Sequence, residues 1–254
     1  EVIIPETAHA AFYKGAEFLD VKIVPINITK DFRVDLKAIE AAINENTVLI
    51  VSSCPNFPYG TCDPLKAMAK LALKYDVGLH MDACMGGFLV PFAKEHGIKL
   101  PEENYDFSVK GVTSISTDPH KYGLTAKGIG VLLFGDAEIQ KSLYFCKTDG
   151  PGQYYQSATV QDTRSAAIIA ACWATMMYYG YEGYSKLAKE VFDGSIAFVN
   201  KLRKIPGIEV IGNPVLGNIA IISRDKRVDI YNLGNYICEQ GWKTACTPKY
   251  PCLH

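Results

Sequence analysis

Short hydrophobic strands alternate with amphipathic helices along the first third of this 254-residue chain, and this alternation does most to restrict its fold. Apolar, β-branched runs predict strands at residues 2–4, 21–26, 47–52 and 77–81. Helical spacing fills the intervals between them, at residues 5–18, 35–43 and 64–75. Strands connected in this way form a mostly parallel sheet, and ligands of such sheets bind beyond the carboxyl ends of the strands.

The prediction is therefore an α/β fold with two parts. A large domain with a mostly parallel sheet is expected over residues 1–182. Part of a smaller C-terminal α/β domain is expected over residues 183–254, where strand patterns at 208–211 and 218–223 precede a helical pattern at 228–238.

Composition favours small-molecule or protein partners over nucleic acid. Lys+Arg 26 and Asp+Glu 27 give a formal net charge of -1, and no basic run stands out. The eight cysteines are scattered without a C-x-x-C pair, which predicts reduced thiols and no metal site. The most apolar stretch, residues 166–179, is shorter than the roughly 20 residues that cross a bilayer, so we expect a buried helix there and no membrane span.

A lysine follows the strand predicted over residues 111–116. Asp118-Pro119 ends that strand, and Gly123 comes two residues after Lys121. A free lysine titrates at about 10.4, so its amine becomes a nucleophile only where burial or a neighbouring cation lowers the pKa. His120 is such a neighbour. From these residues alone, a solvated polar pair at a strand end is the favoured interpretation.

Asp82 stands at the carboxyl end of the strand predicted before it, and Gly86-Gly87 behind it permit close approach of a ligand. Asp82 and Lys121 are therefore expected to converge on one crevice. A lysine that can form an imine, a carboxylate and a flat side chain such as His9 are what pyridoxal phosphate needs from a protein. A strand-end turn aspartate and a helix-capping histidine are the alternatives.

Several longer strings of residues are specific enough to suggest a family. They are His9-Ala10-Ala11-Phe12, Pro55-x-Phe57-Pro58-x-Gly60, the segment from His80 to Phe88, and the segment from Gly111 to Gly123 with Lys127-Gly128. Together they resemble the sphingosine-1-phosphate lyases, which belong to the fold-type-I pyridoxal-phosphate enzymes, a transferase-like fold shared with the group II decarboxylases. The resemblance runs over nearly the whole chain.

The resemblance implies a role for each site residue. Lys121 holds the aldehyde of pyridoxal 5'-phosphate as an imine, Asp82 pairs with the pyridine nitrogen, and His9 stacks on the ring. His120 lies at the cofactor phosphate. Lys127 reaches the substrate phosphate or assists proton transfer, so that Lys121 and Lys127 are the expected catalytic residues.

Two further residues near the site have simpler interpretations. His80 is expected to be a hydrogen-bonded core histidine. Cys84 is expected to be a small packing residue rather than a catalytic thiol.

Residues 148–164 are rich in Gly, Gln, Tyr, Ser and Thr, which predicts a long functional loop. The resemblance implies a homodimer in which this loop, with Ser157 and Thr159, completes the cofactor site of the neighbouring subunit. Asp162 departs from the family pattern, and its charge is expected to repel a phosphate. The resemblance also places the segment that cradles the cofactor phosphate before residue 1, and we expect both ends of the chain to be cut.

The implied function is that of a pyridoxal-phosphate-dependent aldehyde-lyase of sphingolipid metabolism. Such an enzyme cleaves a phosphorylated sphingoid base to a fatty aldehyde and phosphoethanolamine. A pyridoxal-phosphate-dependent amino-acid decarboxylase and a catalytically silent fragment or subunit are the alternatives. The resemblance further implies a cytosol-facing protein, anchored to the endoplasmic reticulum through an N-terminal segment outside this chain.

Overall fold

A six-stranded sheet forms the centre of the computed structural model, which describes residues 1–161 and 163–254. Its strands are β1 (Val2–Pro5), β2 (Ile23–Ile26), β3 (Leu49–Ser53), β4 (Gly78–Asp82), β5 (Ser114–Thr117) and β6 (Val131–Phe134). They lie in the order β2-β1-β3-β4-β5-β6. The first five run parallel, and β6 pairs antiparallel with β5. The predicted α/β fold with a mostly parallel sheet is confirmed.

Seven helices are described, and most of them connect the strands. They are α1 (Ala11–Leu19), α2 (Leu36–Ala42), α3 (Leu65–Tyr75), α4 (Val90–Ala93), α5 (Ala137–Lys141), α6 (Ala166–Leu202) and α7 (Ile230–Glu239). Asp35 caps α2 by accepting hydrogen bonds from the backbone amides of Lys37 and Ala38. The apolar face of α3 packs on β3 and β4, and that of α2 packs on β2 and α3, through fully buried Ile39, Leu65 and Met68.

The first helix begins later than predicted. Pro5 belongs to β1, where it pairs with Ile26, and the chain then turns, with Ala8 N donating to Pro5 O. Thr7 is buried, and α1 starts at Ala11 without a side-chain cap on Ala10. His9 therefore precedes the helix instead of lying in its first turn.

The segment predicted as a loop over residues 148–164 contains a strand. A two-stranded antiparallel hairpin pairs β7 (Phe145–Lys147) with β8 (Tyr155–Ser157). Three-residue strands are too short to reveal the period-two alternation of a β-strand. Residues 148–154, 158–161 and 163–164 have no helix or strand, in agreement with the predicted loop.

A second, smaller sheet follows α6. It contains β9 (Ile208–Val210), β10 (Ile221–Ser223), β11 (Cys246–Thr247) and β12 (Cys252–Leu253), in the antiparallel order β11-β12-β10-β9. A separate core of Val199, Val210, Ile221, Ile230 and Leu253 lies between this sheet, α6 and α7. The boundary at residues 182 and 183 stays a prediction, because α6 runs across it and supplies side chains to both cores.

Helix α6 differs from the prediction in two ways. The helix expected at 166–179 is part of a longer element that runs on to Leu202 and is interrupted at Gly180, whose φ of 58° and ψ of -172° are not helical. The first half is not buried: Trp173 is 65% exposed and Met177 60%. Apolar composition indicates that a face will be covered but not what covers it. Within the described ranges, no helix is long and apolar enough to cross a membrane.

Candidate active site

Asp82 lies at the carboxyl end of β4, between the ends of β3 and β5. It pairs in register with Ser53 on one side and with Ser116 on the other. Its side chain is buried, and its Oδ1 accepts hydrogen bonds from Cys84 N at 2.9 Å and from Ser116 Oγ at 3.3 Å. The carboxylate is therefore fixed at the point where a ligand of a parallel sheet binds.

A hydrogen-bonded row of side chains supports Asp82 from the neighbouring strand. His80 Nδ1 lies 2.9 Å from Ser114 Oγ, and His80 Nε2 lies 3.0 Å from Ser116 Oγ. Burial lowers the pKa of His80, although the charge of Asp82 acts in the opposite direction. His80 is thus a satisfied core histidine, as expected.

Ser116 is a functional residue that the sequence interpretation missed. It links His80 to Asp82 and lies on the β5 strand that leads to Lys121. The alternation Ser114-Ile115-Ser116 could have indicated this role of Ser116, because a period of two places both hydroxyls on one face of the strand.

Lys121 follows β5 and is half-buried. Its Nζ lies 3.1 Å from Asp118 Oδ2, and the Cys84 thiol also hydrogen-bonds the amine. Burial lowers the pKa of Lys121, but Cys84 and Asp118 together outweigh it, so the pKa is raised above its ordinary value. The lowered lysine pKa expected from a cationic neighbour is wrong for this structure, because the nearest charged group is a carboxylate.

Cys84 interacts with both Asp82 and Lys121. Its backbone amide holds Asp82 and its thiol contacts Lys121. Burial, with the charge of Asp82, raises the pKa of Cys84 to about 11. The sulfur is therefore a protonated thiol at neutral pH, in agreement with the expectation that it is not a catalytic nucleophile.

The ring of His120 is fixed by a backbone carbonyl and lies near a carboxylate. Its Nδ1–H donates to Ile129 O at 2.8 Å, which fixes the ring. Its Nε2 lies 3.7 Å from Asp118 Oδ2. His120 and Lys121 thus both approach the same oxygen of Asp118.

His9 is exposed, and its Nδ1 accepts a hydrogen bond from Ala11 N at 3.1 Å. The helix-capping alternative is therefore observed. The ring also meets Phe57 edge to face, with centroids 5.9 Å apart. Stacking of His9 on a cofactor ring stays a prediction.

The other predicted site residues are not drawn into this cluster. Lys127 is exposed. Ser157 Oγ donates to Thr159 O at 2.9 Å, and Thr159 Oγ1 donates to Gln161 O, so both hydroxyls are bonded within their own turn. Asp162 lies outside the described residues, and its effect on a phosphate stays a prediction.

The glycines behind Asp82 are required by packing, whereas their role in the close approach of a ligand stays a prediction. A Cβ on Gly86 would lie 2.1 Å from Cys54 O, and one on Gly87 would lie 2.1 Å from Thr117 Oγ1. That Thr117 hydroxyl is buried and has no hydrogen-bond partner among the described residues. An unpaired hydroxyl, a buried carboxylate and a half-buried amine at adjacent strand ends form a polar set that a bound group can satisfy.

Lys121 follows the parallel strand β5, and Asp82 ends the neighbouring strand β4. A lysine and an aspartate placed in this way are typical of the class of pyridoxal-phosphate enzymes of fold type I. The chain belongs to the pyridoxal-dependent decarboxylase family, whose description is "Pyridoxal-dependent decarboxylase conserved domain" and whose match covers residues 2–223. The cofactor of this family is pyridoxal phosphate. Asp82, Lys121 and the unpaired Thr117 hydroxyl fit that group.

Curated relatives within this family include several lyases. The sphingosine-1-phosphate lyase of Drosophila melanogaster is 43% identical over 242 residues, which are 95% of this chain and 44% of the relative. The L-aspartate decarboxylase of Thermococcus kodakarensis is 36% identical over 250 residues, 98% of this chain and 64% of the relative. The chain thus spans less than half the length of the Drosophila lyase.

Solved structures agree with the fold. A sphingosine-1-phosphate lyase of Burkholderia pseudomallei has a TM-score of 0.93 at 35% identity, over 99% of this chain and 57% of that chain. A glutamate decarboxylase of Lactobacillus brevis has a TM-score of 0.82 at 21% identity, over 99% of this chain and 59% of that chain. The second likeness supports the fold alone.

Proposed function

We propose that this protein is a pyridoxal-phosphate-dependent carbon–carbon lyase that cleaves a phosphorylated sphingoid base to a fatty aldehyde and phosphoethanolamine. One observation carries the chemistry: Asp82 is fixed by Cys84 and Ser116 at the strand end beside Lys121. The choice of substrate rests on the similarity to sphingosine-1-phosphate lyases.

Bound pyridoxal phosphate supplies an aromatic ring that accepts the electron pair of the cleaved bond. Asp82 would hold a proton on the ring nitrogen, because a buried carboxylate stabilises a positive charge beside it. Ser116 and Cys84 N orient that carboxylate in advance. Lys121 is the amine that attaches the cofactor, and Asp118 keeps its Nζ at the strand end.

Lys127 and His120 are proposed to serve the anionic groups. Lys127 is exposed beyond the Lys121 turn, and a mobile ammonium suits a substrate phosphate. Because His120 Nδ1–H is bonded to Ile129 O, its Nε2 is the atom left to face a cofactor phosphate.

Borohydride labelling combined with product analysis tests the proposal. Reduction should attach the cofactor to the peptide containing Lys121, and Lys121→Ala should abolish both label and turnover. Lys127→Ala should keep the label but lose turnover of the phosphorylated substrate. Loss of the label in Lys127→Ala would contradict this division of roles.

Product identity separates the proposed lyase from an amino-acid decarboxylase. The decarboxylase alternative is supported by the 36% identity to an L-aspartate decarboxylase. A fatty aldehyde from a phosphorylated sphingoid base supports the lyase, whereas carbon dioxide from an amino acid supports the alternative. Failure to label Lys121 in a protein that contains cofactor would favour a silent subunit.

A homodimer is part of the proposal. The exposed apolar face on the first half of α6, including Ile169, Trp173 and Met177, is a surface that a second copy would cover. The loop 148–164 is proposed to complete the partner's site. Mixing a Lys121→Ala chain with a chain changed at Tyr155 and Ser157 should restore activity if sites are shared, and unrestored activity despite subunit exchange would contradict sharing.

We further propose that the protein faces the cytosol at the endoplasmic reticulum. The supporting observation is that all eight cysteines are free thiols, as in a reducing compartment. Microscopy of the tagged protein with a reticulum marker tests this localisation.

A further inference from the structure

Two cysteines that the proposed reaction does not use have their sulfur atoms in contact. Cys54 Sγ and Cys62 Sγ lie 3.2 Å apart, both residues are buried, and both are free thiols. A disulfide bond is about 2.05 Å long, so the sulfurs need to approach by only about 1.2 Å to form one. They lie at the two ends of the loop that follows β3.

That loop already holds the two cysteines together. Asn56 N donates to Thr61 O at 2.8 Å, and Gly60 N donates to Asn56 O at 3.0 Å. The side chain of Asn56 adds a bond from Nδ2 to Thr61 Oγ1 at 2.6 Å. Because the folded loop already holds the two cysteines close together, forming the disulfide costs little further chain entropy.

Only one of the two cysteines lines the cavity next to this loop. Cys62 lines a cavity of about 360 Å³ together with Arg33, Thr61 and Lys99. Since a water molecule in the liquid occupies about 30 Å³, this cavity has room for a molecule as small as hydrogen peroxide. Cys54 does not line this cavity and is only 1% exposed.

We propose that Cys54 and Cys62 are a redox modification site, a dithiol that a small peroxide oxidises to an intramolecular disulfide. The Cys62 sulfur attacks one peroxide oxygen, the O–O bond breaks, and Cys62 sulfenic acid and water form. The Cys54 sulfur then displaces the sulfenic oxygen, which leaves as a second water with the Cys54 proton. The two sulfurs lose two electrons in total, and the peroxide gains them.

Burial, with the neighbouring Cys62, holds the pKa of Cys54 well above its ordinary value. Because the thiolate is the form that attacks peroxide, the first step is assigned to Cys62, which lines the cavity, and not to Cys54.

The modification site lies directly behind the candidate active site. Cys54 N donates to Asp82 O at 2.9 Å, and the Cys54 carbonyl packs where Gly86 has no Cβ. Disulfide formation thus takes place against the strand end that carries Asp82.

One tryptic peptide tests the proposal, because residues 38–66 contain both cysteines and no other. The purified chain is treated with hydrogen peroxide, quenched with catalase and denatured in N-ethylmaleimide. After oxidation, peptide 38–66 should carry no maleimide and weigh two hydrogens less than the reduced peptide. Dithiothreitol before alkylation should restore two adducts.

Cys238 provides the internal reference, since it is exposed and lies in another tryptic peptide. Two maleimide adducts on peptide 38–66, at peroxide doses that have oxidised Cys238, would overturn the proposal. Cys62→Ser should leave Cys54 able to take one adduct after the same dose, and loss of that adduct would also overturn it. The wild-type measurement decides the question even if the variant does not fold.

Discussion

At the scale of single residues, Asp82 combines a fixed position with a charge, and a substitution can separate these properties. An asparagine at position 82 keeps an oxygen that can accept from Cys84 N and Ser116 Oγ. It has no charge with which to stabilise a protonated ring nitrogen. We expect Asp82→Asn to bind cofactor normally while kcat falls roughly a hundredfold or more.

Cofactor stoichiometry and steady-state kinetics on the same preparation check this expectation. Ser116→Ala is the matched variant, because it removes one positioning hydrogen bond but keeps the charge, and a smaller loss of kcat is expected. Near-normal turnover in Asp82→Asn would refute the role assigned to the carboxylate.

A second carboxylate, Asp63, makes stability depend on pH. It is fully buried, its Oδ2 accepts from Ser53 N at 2.8 Å, and its Oδ1 has no partner among the described residues. Burial raises the pKa of Asp63 to about 6 from the ordinary 3.8. Between these pH values the folded state binds more protons than the unfolded state, so stability falls as pH rises through the window.

Replacing Asp63 by asparagine should therefore flatten the pH dependence of unfolding. The shift corresponds to a loss of about 3 kcal/mol between pH 4 and pH 7 in the wild-type chain. Urea unfolding at several pH values measures it. Glu17→Gln changes an exposed carboxylate and should leave the slope as it is, and an equal slope in Asp63→Asn would show that another group is responsible.

At the scale of elements, the interruption of α6 depends on one residue. Gly180 has a φ of 58° with an extended ψ, a region that is essentially restricted to glycine. Gly194 lies in the same helix, has helical backbone angles, and has no atom within 4 Å of an added Cβ.

The two glycines should thus respond in opposite directions to the same substitution. We expect Gly180→Ala to lower the free energy of unfolding by about 1–3 kcal/mol. Gly194→Ala should raise it by up to about 1 kcal/mol, because alanine is the better helix former. Denaturant unfolding of both variants measures the difference, and equal effects would mean that the interruption is not held by Gly180.

The elements that could be predicted from the sequence are those with a clear period. The ends of β4 and β5 were predicted closely, so the sequence alone indicated that Asp82 and Lys121 lie at the same edge of the sheet. The hairpin of β7 and β8 could not be predicted, because its strands contain three residues each. The cap formed by His9 was one of the two interpretations left open by the sequence. The carboxylate beside Lys121 was beyond prediction, because it depends on how the turn after β5 folds back.

At the scale of the whole molecule, α6 joins the two largest apolar cores, and one apolar surface remains open. The large core lies under the parallel sheet and the small one beneath β9 to β12. The open surface is the first half of α6, where Cys172 is the one buried residue before the interruption. A face with several large exposed apolar side chains, such as Ile169, Trp173 and Met177, indicates an interaction surface.

The chain contains two tryptophans, and both are largely exposed, which allows a matched test of that surface. Trp173 lies on the open face of α6, whereas Trp242 follows α7 on the smaller unit. A charge at position 173 would have to be desolvated in an apolar interface, which is unfavourable without a partner charge. We expect Trp173→Asp to convert a dimer into a monomer in analytical ultracentrifugation, with unchanged circular dichroism. Trp242→Asp should remain a dimer, and a dimeric Trp173→Asp would place the contact elsewhere.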